Sequence, residues 1–307
     1  MKRINNTIII GVDHGFGNIK HASGSFRAGL IKYDDKPTFT TNLLTYENKY
    51  YLIGEGHKEF TADKFLDPDY YILTLAAIAA ELRTEHITTA RVHLAAGLPL
   101  TWVGEQRQAF RDYLLQHKTV DFSFNHIDYH IEFVGADVFP QGFSAVADKL
   151  YMFRGTNMLC DIGNGTVNVM YINDRKPDSQ RCFTAKHGVH QCVMNIKENV
   201  LRRHHIALMD STIENALING GEDLPADVFE TIRGTALEYI NELFRILREH
   251  EYDPVMMKLY IVGGGGCLIK RFGQYDRNKV FINTDICATA KGYEYLSAKS
   301  AERRSVC

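Results

Sequence analysis

Cys160-Asp161-Ile162-Gly163-Asn164-Gly165-Thr166-Val167-Asn168-Val169 is the stretch from which the fold is read. An apolar, β-prone run from Asn157 to Cys160 leads into an aspartate; a Gly-x-Gly turn follows, then an alternating run from Thr166 to Tyr171. The pattern predicts strand, tight turn, strand, with the carboxylate at the bend. The N-terminal region repeats it: Thr7-Ile8-Ile9-Ile10-Gly11-Val12 leads into Asp13-His14-Gly15-Phe16-Gly17-Asn18-Ile19-Lys20. Two Asp-x-Gly-x-Gly hairpins, each closing an apolar strand, predict two related α/β domains that face each other. A ligand between them would meet two glycine loops and two carboxylates.

Glycine has a physical role in such loops. Without a Cβ it reaches positive φ cheaply and lets backbone N–H groups approach an anion, so successive amides can cradle phosphate oxygens. An aspartate beside a polyphosphate needs a cation between them, which predicts Mg²⁺ held largely through waters by Asp13 and Asp161. Lys20 would neutralise phosphate charge directly. The competing reading is two ordinary hairpins with Asp and Gly turn chemistry; the repetition argues against it.

The 307 residues suffice for two domains, and a domain of about 150 residues buries roughly 70% of its unfolded surface. The net charge of −2 gives no global basic signal for nucleic acid or anionic membrane. The cysteines at 160, 182, 192, 267, 287 and 307 form no C-x-x-C pair and read as small apolar residues in a reducing compartment. Ile8–Val12 is too short for a signal-peptide core, and no run approaches the roughly 20 apolar residues of a membrane span. The expectation is a soluble, cytoplasmic protein without membrane or direct nucleic-acid contact. His204-His205 and His126/His130 lack companions at zinc spacing.

In chain order, strands are predicted over 7–12, 18–23 and 25–33, a hairpin with arms 38–45 and 49–53, a buried helix over 71–83, a strand over 91–98 and an amphipathic helix over 104–117. Two strands follow, near 120–124 and 129–133. Val138-Phe139-Pro140-Gln141-Gly142-Phe143 then starts a helix over 142–153, with Pro140 as punctuation. Gln141 at its N-terminus either orients a water near a terminal phosphate or is a capping residue. Residues 174–179 read as a polar loop. Helices are predicted over 189–204, 210–218 and 226–250. A strand over 258–262 runs into Gly263-Gly264-Gly265-Gly266, where backbone can lie flat against a ligand before a helix at 267–272. The last helix spans 285–302, with Ala288, Ala290 and Gly292 permitting close packing.

Taken together, the order resembles the actin/Hsp70/sugar-kinase superfamily. Residues 10–20 look like its first phosphate motif, 138–153 its first connecting helix, 160–170 its second phosphate motif, 260–270 its adenosine motif and 285–298 its second connecting helix. Within it, Gly11-Val12-Asp13-x-Gly-x-Gly-Asn18-x-Lys20, Gly97-Leu98-Pro99, Phe139-Pro140-Gln141, Asp161-Ile162-Gly163-Asn164-Gly165-Thr166 and Lys49–Gly56 are similar to bacterial actin-like proteins of the ParM/StbA plasmid-segregation type. The resemblance implies domain I over 1–141, completed by a C-terminal helix at 285–307, and domain II over 142–284. It implies ATP or GTP with Mg²⁺ in the interdomain cleft, hydrolysis, filaments of the chain with itself, and a separate DNA-binding adaptor. Residue by residue, the loops Gly15-Phe16-Gly17-Asn18 and Gly163-Asn164-Gly165-Thr166 cradle the phosphates and Lys20 bridges their oxygens. Asp13 and Asp161 hold the metal, Gln141, with Asp161, positions water, and Gly263–Gly265 lies against base and ribose. Lys197-Glu198 is similar to an actin pair at ribose and base.

The sequence also departs from the family pattern. Relatives carry Gln or Glu at the position of Gln141, and a Gln can only orient water. Asn164 stands where muscle-type actins have Asp, leaving one carboxylate fewer. Residues 172–210 are few, implying a small subdomain. The alternatives are a small-molecule kinase of the same fold, which would need an acidic base absent where the connecting helix begins, a non-hydrolysing scaffold, which would lose Lys20 or both aspartates, and a bare nucleotide sensor.

Overall fold

The computed structural model describes residues 1–38, 40–56 and 64–306. The chain forms two compact units, Met1–Leu150 with Cys287–Cys307, and Tyr151–Ile286.

In the first unit, β1 (Lys2–Ile4), β2 (Thr7–His14), β3 (Asn18–His21), β4 (Gly24–Arg27), β5 (Leu30–Tyr33), β6 (Leu43–Tyr46), β7 (Lys49–Ile53), β8 (Thr89–Leu98), β9 (Thr119–Phe124) and β10 (Ile127–Pro140) build one sheet. Its order is β4-β3-β2-β8-β10-β9-β6-β7-β5, with β1 paired to β2. Helix α1 (Asp69–Arg83) is buried nearly all round, Leu73, Leu75, Ala76, Ala77 and Ile78 being inaccessible, as a helix apolar on every face must be. Helix α2 (Leu100–Leu114) turns Val103, Phe110 and Leu114 to the core.

In the second unit, β11 (Thr156–Ile162), β12 (Val167–Asn173), β13 (Lys176–Ala185), β14 (Lys258–Val262) and β15 (Val280–Ile282) make a sheet in the order β13-β12-β11-β14-β15. Helices α3 (Val189–His204), α4 (Asp210–Asn219), α5 (Ala226–Glu249) and α6 (Gly265–Phe272) belong to the same unit. The stripe Val228, Ile232, Ala236, Ile240, Leu243 and Leu247 of α5 packs into its core with Val193, Ile196 and Val200 of α3. The chain then returns to the first unit with α7 (Ala288–Val306).

The duplication runs through the sheets. Along β4-β3-β2-β8-β10 the pairings are antiparallel, antiparallel, parallel, parallel. Along β13-β12-β11-β14-β15 they follow the same sequence. Helix α7 approaches the first sheet through small residues: a Cβ on Gly11 would lie 2.1 Å from the Ala290 carbonyl, one on Gly97 2.0 Å from the Tyr293 hydroxyl, and one on Gly292 1.8 Å from the Ser144 carbonyl. Gly11 and Gly97, both within recognisable motifs, therefore serve helix docking.

Several predicted elements differ. The strand expected over 25–33 is split at Ala28-Gly29, where Gly29 passes the Glu55 and Gly56 carbonyls too closely for a side chain. The arm expected over 38–45 begins at Leu43, and Phe39 lies outside the described residues. Residues 176–185, read partly as a polar loop, form edge strand β13; Pro177 and Arg181, the latter lying 3.9 Å over the Tyr171 ring, suit an edge that accepts no further strand. Helix α2 starts at Leu100 because Pro99, in extended backbone, sets its N-terminus. Residues 138–140 end β10, and the helix expected over 142–153 is a 3₁₀ helix, Phe143–Met152. The strand persists there because Phe139 and Pro140 pair with Gly97 and Leu98, and Gly142 turns the chain at φ 71°.

Cys160, Cys192 and Cys287 are buried free thiols and Cys182 and Cys267 are half-buried; Cys307 lies outside the described residues. No described helix is long and apolar enough to cross a membrane.

Candidate functional site

In the first unit, β2 and β3 place Asp13 directly opposite Lys20. The Lys20 ammonium lies 3.5 Å from Asp13 Oδ2, both side chains being largely shielded from solvent. Gln141 reaches the same carboxylate, its Nε2 donating to Asp13 Oδ1 at 3.0 Å. Gln141 is held there by the end of a strand: its own N–H donates to the Leu98 carbonyl at 2.8 Å, and Gly142 then turns away. The helix field invoked for Gln141 is thus replaced by a direct bond to Asp13. The neighbouring His14 is fully buried, with Nε2 2.7 Å from Thr74 Oγ1 and its ring edge-on to Tyr70 and Phe110. It fixes the strand end that presents Asp13.

The Gly15-Phe16-Gly17 turn is closed by Gly15 N–H donating to the Asp13 carbonyl, and from behind by Ala28 N–H donating to the Gly17 carbonyl. A Cβ on Gly15 would lie 2.5 Å from the Asn18 carbonyl. Phe16 is half-buried and Asn18 exposed beside it.

In the second unit, Asp161 sits opposite Asn168 in the register in which Asp13 sits opposite Lys20. The cation is replaced by a neutral amide, so the duplicated hairpins are electrostatically unequal. Gly163 N–H donates to the Thr166 carbonyl at 2.9 Å and closes the loop. Asn164 and Gly165 are exposed and Thr166 half-buried. Gly263, at φ 85°, lies against the Asp161 carboxylate, where a Cβ would be 2.6 Å from Oδ1. Gly264 is exposed, and Gly265 opens α6 with its Cα against Ile162, two residues earlier than the start expected at Cys267.

The loop glycines need a correction. Gly15, Gly163 and Gly165 do not adopt positive φ; among the site glycines Gly263 does. At Gly15 the requirement is close backbone approach, and at Gly165 a Cβ would face open space. Lys197, on α3, bonds Asp210 Oδ1 at 2.7 Å at the start of α4. The structure does not bring it to Gly263–Gly265 through any such bond.

One residue at this site escaped sequence reading. Gly188 precedes α3, and a Cβ there would lie 2.2 Å from the Asn164 carbonyl oxygen. The first helical residues reach the loop as well: Val189 N–H donates to the Gly163 carbonyl at 3.0 Å and His190 N–H to the Asn164 carbonyl at 2.9 Å. Lys186-His187-Gly188-Val189 carries no motif, and its one signal is a glycine just before a predicted helix. Cys160, beside Asp161, is no rival nucleophile, because burial drives its thiol pKa up, with the Asp161 charge adding to the effect.

Residues 11–143 match the family model of the actin-like proteins' N-terminal domain. The chain has the actin-like fold over 95% of its length, two related domains of α/β type. An archaeal actin homologue, Ta0583, solved in complex with ADP, is 18% identical, with a TM-score of 0.73 over 95% of this chain and 99% of that one. Bacillus thuringiensis ParM, solved with ATP, is 13% identical, with a TM-score of 0.69 over 97% and 100%. The filament structure of Alp12 is 14% identical, with a TM-score of 0.70 over 96% and 100%. No curated protein matches the chain by sequence.

Proposed function

We propose that this chain binds ATP or GTP with Mg²⁺, hydrolyses it, and assembles with further copies of itself into filaments that serve plasmid segregation through a separate DNA-binding adaptor. The observation that carries the nucleotide reading is the twofold hairpin, with Asp13 and Asp161 at the same register of two sheets built alike. Each carboxylate stands beside a glycine loop with carbonyls tied back, that of Gly17 in the first and those of Gly163 and Asn164 in the second, an arrangement that leaves amides for an anion. Filament assembly rests on the fold shared with Alp12, solved as a filament, and adaptor use on the resemblance of the sequence motifs to the ParM/StbA type. A net charge of −2 suits a protein whose DNA contact is made by another.

In each unit the carboxylate is a donor of the type Mg²⁺ takes. Asp13 and Asp161 offer hard carboxylate oxygens, and Asp13, already held by Lys20 and Gln141, suits a contact through water. When bound, the ion neutralises phosphate charge. Lys20 would meet phosphate oxygens, and in each unit the loop amides would be available to a phosphate group. Gln141, fixed through Nε2 on Asp13, presents its carbonyl oxygen to orient a water. In Gly263–Gly265, the exposed Gly264 would give ribose and base a surface without a side chain, between two glycines packed on Asp161 and Ile162. Such positioning and charge neutralisation is what phosphoryl transfer asks of a protein.

The test is light scattering and phosphate release on one sample with Mg²⁺ and ATP, GTP or no nucleotide, with electron microscopy of the product. Nucleotide-dependent scattering with phosphate release supports the reading. A protein that releases phosphate without scattering is no filament former, and one that does neither leaves only the fold.

A further inference from the structure

We propose that Gly188 and the first turn of α3 are positioning elements that aim the amides of the second loop at phosphate. The inference rests on the nucleotide reading of that loop and adds what holds the loop in its binding shape.

In a trans peptide the C=O and the next N–H point in opposite directions. Val189 N–H takes the Gly163 carbonyl, so the amide of Asn164 is turned away from α3. His190 N–H takes the Asn164 carbonyl, so the amide of Gly165 is turned away as well. Gly163 N–H is used inside the loop, on Thr166. The amides offered to an anion are therefore those of Asn164 and Gly165, and their direction is set by two hydrogen bonds on the far side of the loop. The N-terminus of α3, an ordinary place for an anion, here serves carbonyl groups of the protein itself.

Gly188 is the condition for this contact. A Cβ would lie 2.2 Å from Asn164 O and 2.5 Å from both Asn164 C and Gly165 C, all backbone atoms that no rotamer change can move. Its backbone is extended, at φ −75° and ψ 177°, so it is the missing side chain that matters and not unusual dihedrals. The first unit has a counterpart: Ala28 N–H holds the Gly17 carbonyl, which turns the amide of Asn18 outward. There the clamp is the bend that follows β4, so α3 is the version belonging to the second unit.

Gly188→Ala pushes the loop directly. Val189→Pro removes one clamp N–H at the first helical position, where proline costs no intrahelical bond and the residue before it is already extended. Gly234→Ala, in open space on α5, is the control. Each full-length variant is titrated with fluorescent ATP and GTP, with adenosine and guanosine as competitors, and melted without nucleotide. The expected result for both loop variants is a loss of triphosphate affinity of at least about tenfold, as for a misaligned charge-assisted hydrogen bond, with nucleoside affinity at the parent level and a melt that stays cooperative and falls by only a few degrees. Gly234→Ala binds as the parent does. Triphosphate and nucleoside affinities falling together, or triphosphate affinity unchanged in either folded variant, overturns the positioning role. If folded Gly165→Val also binds triphosphate like the parent, or the parent binds none, it is the nucleotide reading of the loop that fails, and this inference with it.

Discussion

Gln141 holds Asp13 across 128 residues of sequence, its side-chain amide donating to the carboxylate at 3.0 Å. The same carboxylate faces the Lys20 ammonium at 3.5 Å. A group proposed to orient water is therefore also one that orients the metal-side carboxylate, and its removal should be felt in catalysis before binding.

Gln141→Ala should slow hydrolysis while nucleotide still binds. Loss of a preorganised positioning group costs about 2–4 kcal/mol of transition-state stabilisation, or roughly 30- to 1000-fold in rate. Filaments formed with nucleotide should then persist, with little phosphate released. Scattering and phosphate assays on one sample read both halves; phosphate release at the parent rate removes Gln141 from the chemistry.

Asp161→Ala should lower Mg²⁺-dependent hydrolysis far more than stability. The side chain is half-exposed at a strand end and contributes little core packing. Chelation of Mg²⁺ in the parent should reproduce the loss of activity. Parent-like turnover by a folded variant would mean that the second loop is misassigned.

Gly165→Val should abolish nucleotide binding and leave the fold intact. A Cβ here meets nothing within the protein, so the fold tolerates valine, and on the proposed reading its bulk competes with the anion for the exposed side of the loop. Titration with fluorescent nucleotide, alongside a thermal melt, decides it. Unchanged affinity would make the hairpin merely structural.

Asp137 should make the first unit acid-sensitive. It accepts bonds from Ser297 Oγ at 2.7 Å and from Arg304 of α7 at 3.3 Å, and pairs with His93 Nε2 at 3.0 Å. Burial alone would raise its pKa, but the His93 and Ser297 bonds outweigh that and hold it at about 2. A folded pKa below the unfolded value of about 3.9 gives stability that is present above pH 4 and lost as pH falls toward 2. Asp137→Asn should cost about 1–3 kcal/mol at neutral pH and flatten that acid limb in thermal melts. An acid limb identical to the parent's would show that another carboxylate controls it.

The sequence by itself determined the two hairpins and the duplicated α/β plan. Alternation up to Asp13 and Asp161, followed by glycine turns, is a property of a few adjacent residues, and adjacent residues set strand period and turn. The amphipathic stripes of α3 and α5 were legible for the same reason, as one face of each must leave water. What Gln141 touches was not legible. Its placement depends on β10 running parallel to β8, a pairing made across a long crossover, and local pattern favoured a helix there. The reason glycine occupies position 15, the edge strand formed by the polar residues of β13, the pairing of Lys197 with Asp210, and the approach of Gly188 to the Asn164 carbonyl were likewise decided by tertiary structure. Each depends on which backbone passes within a few ångströms of another, and that is fixed only when distant segments close on one another around a shared core.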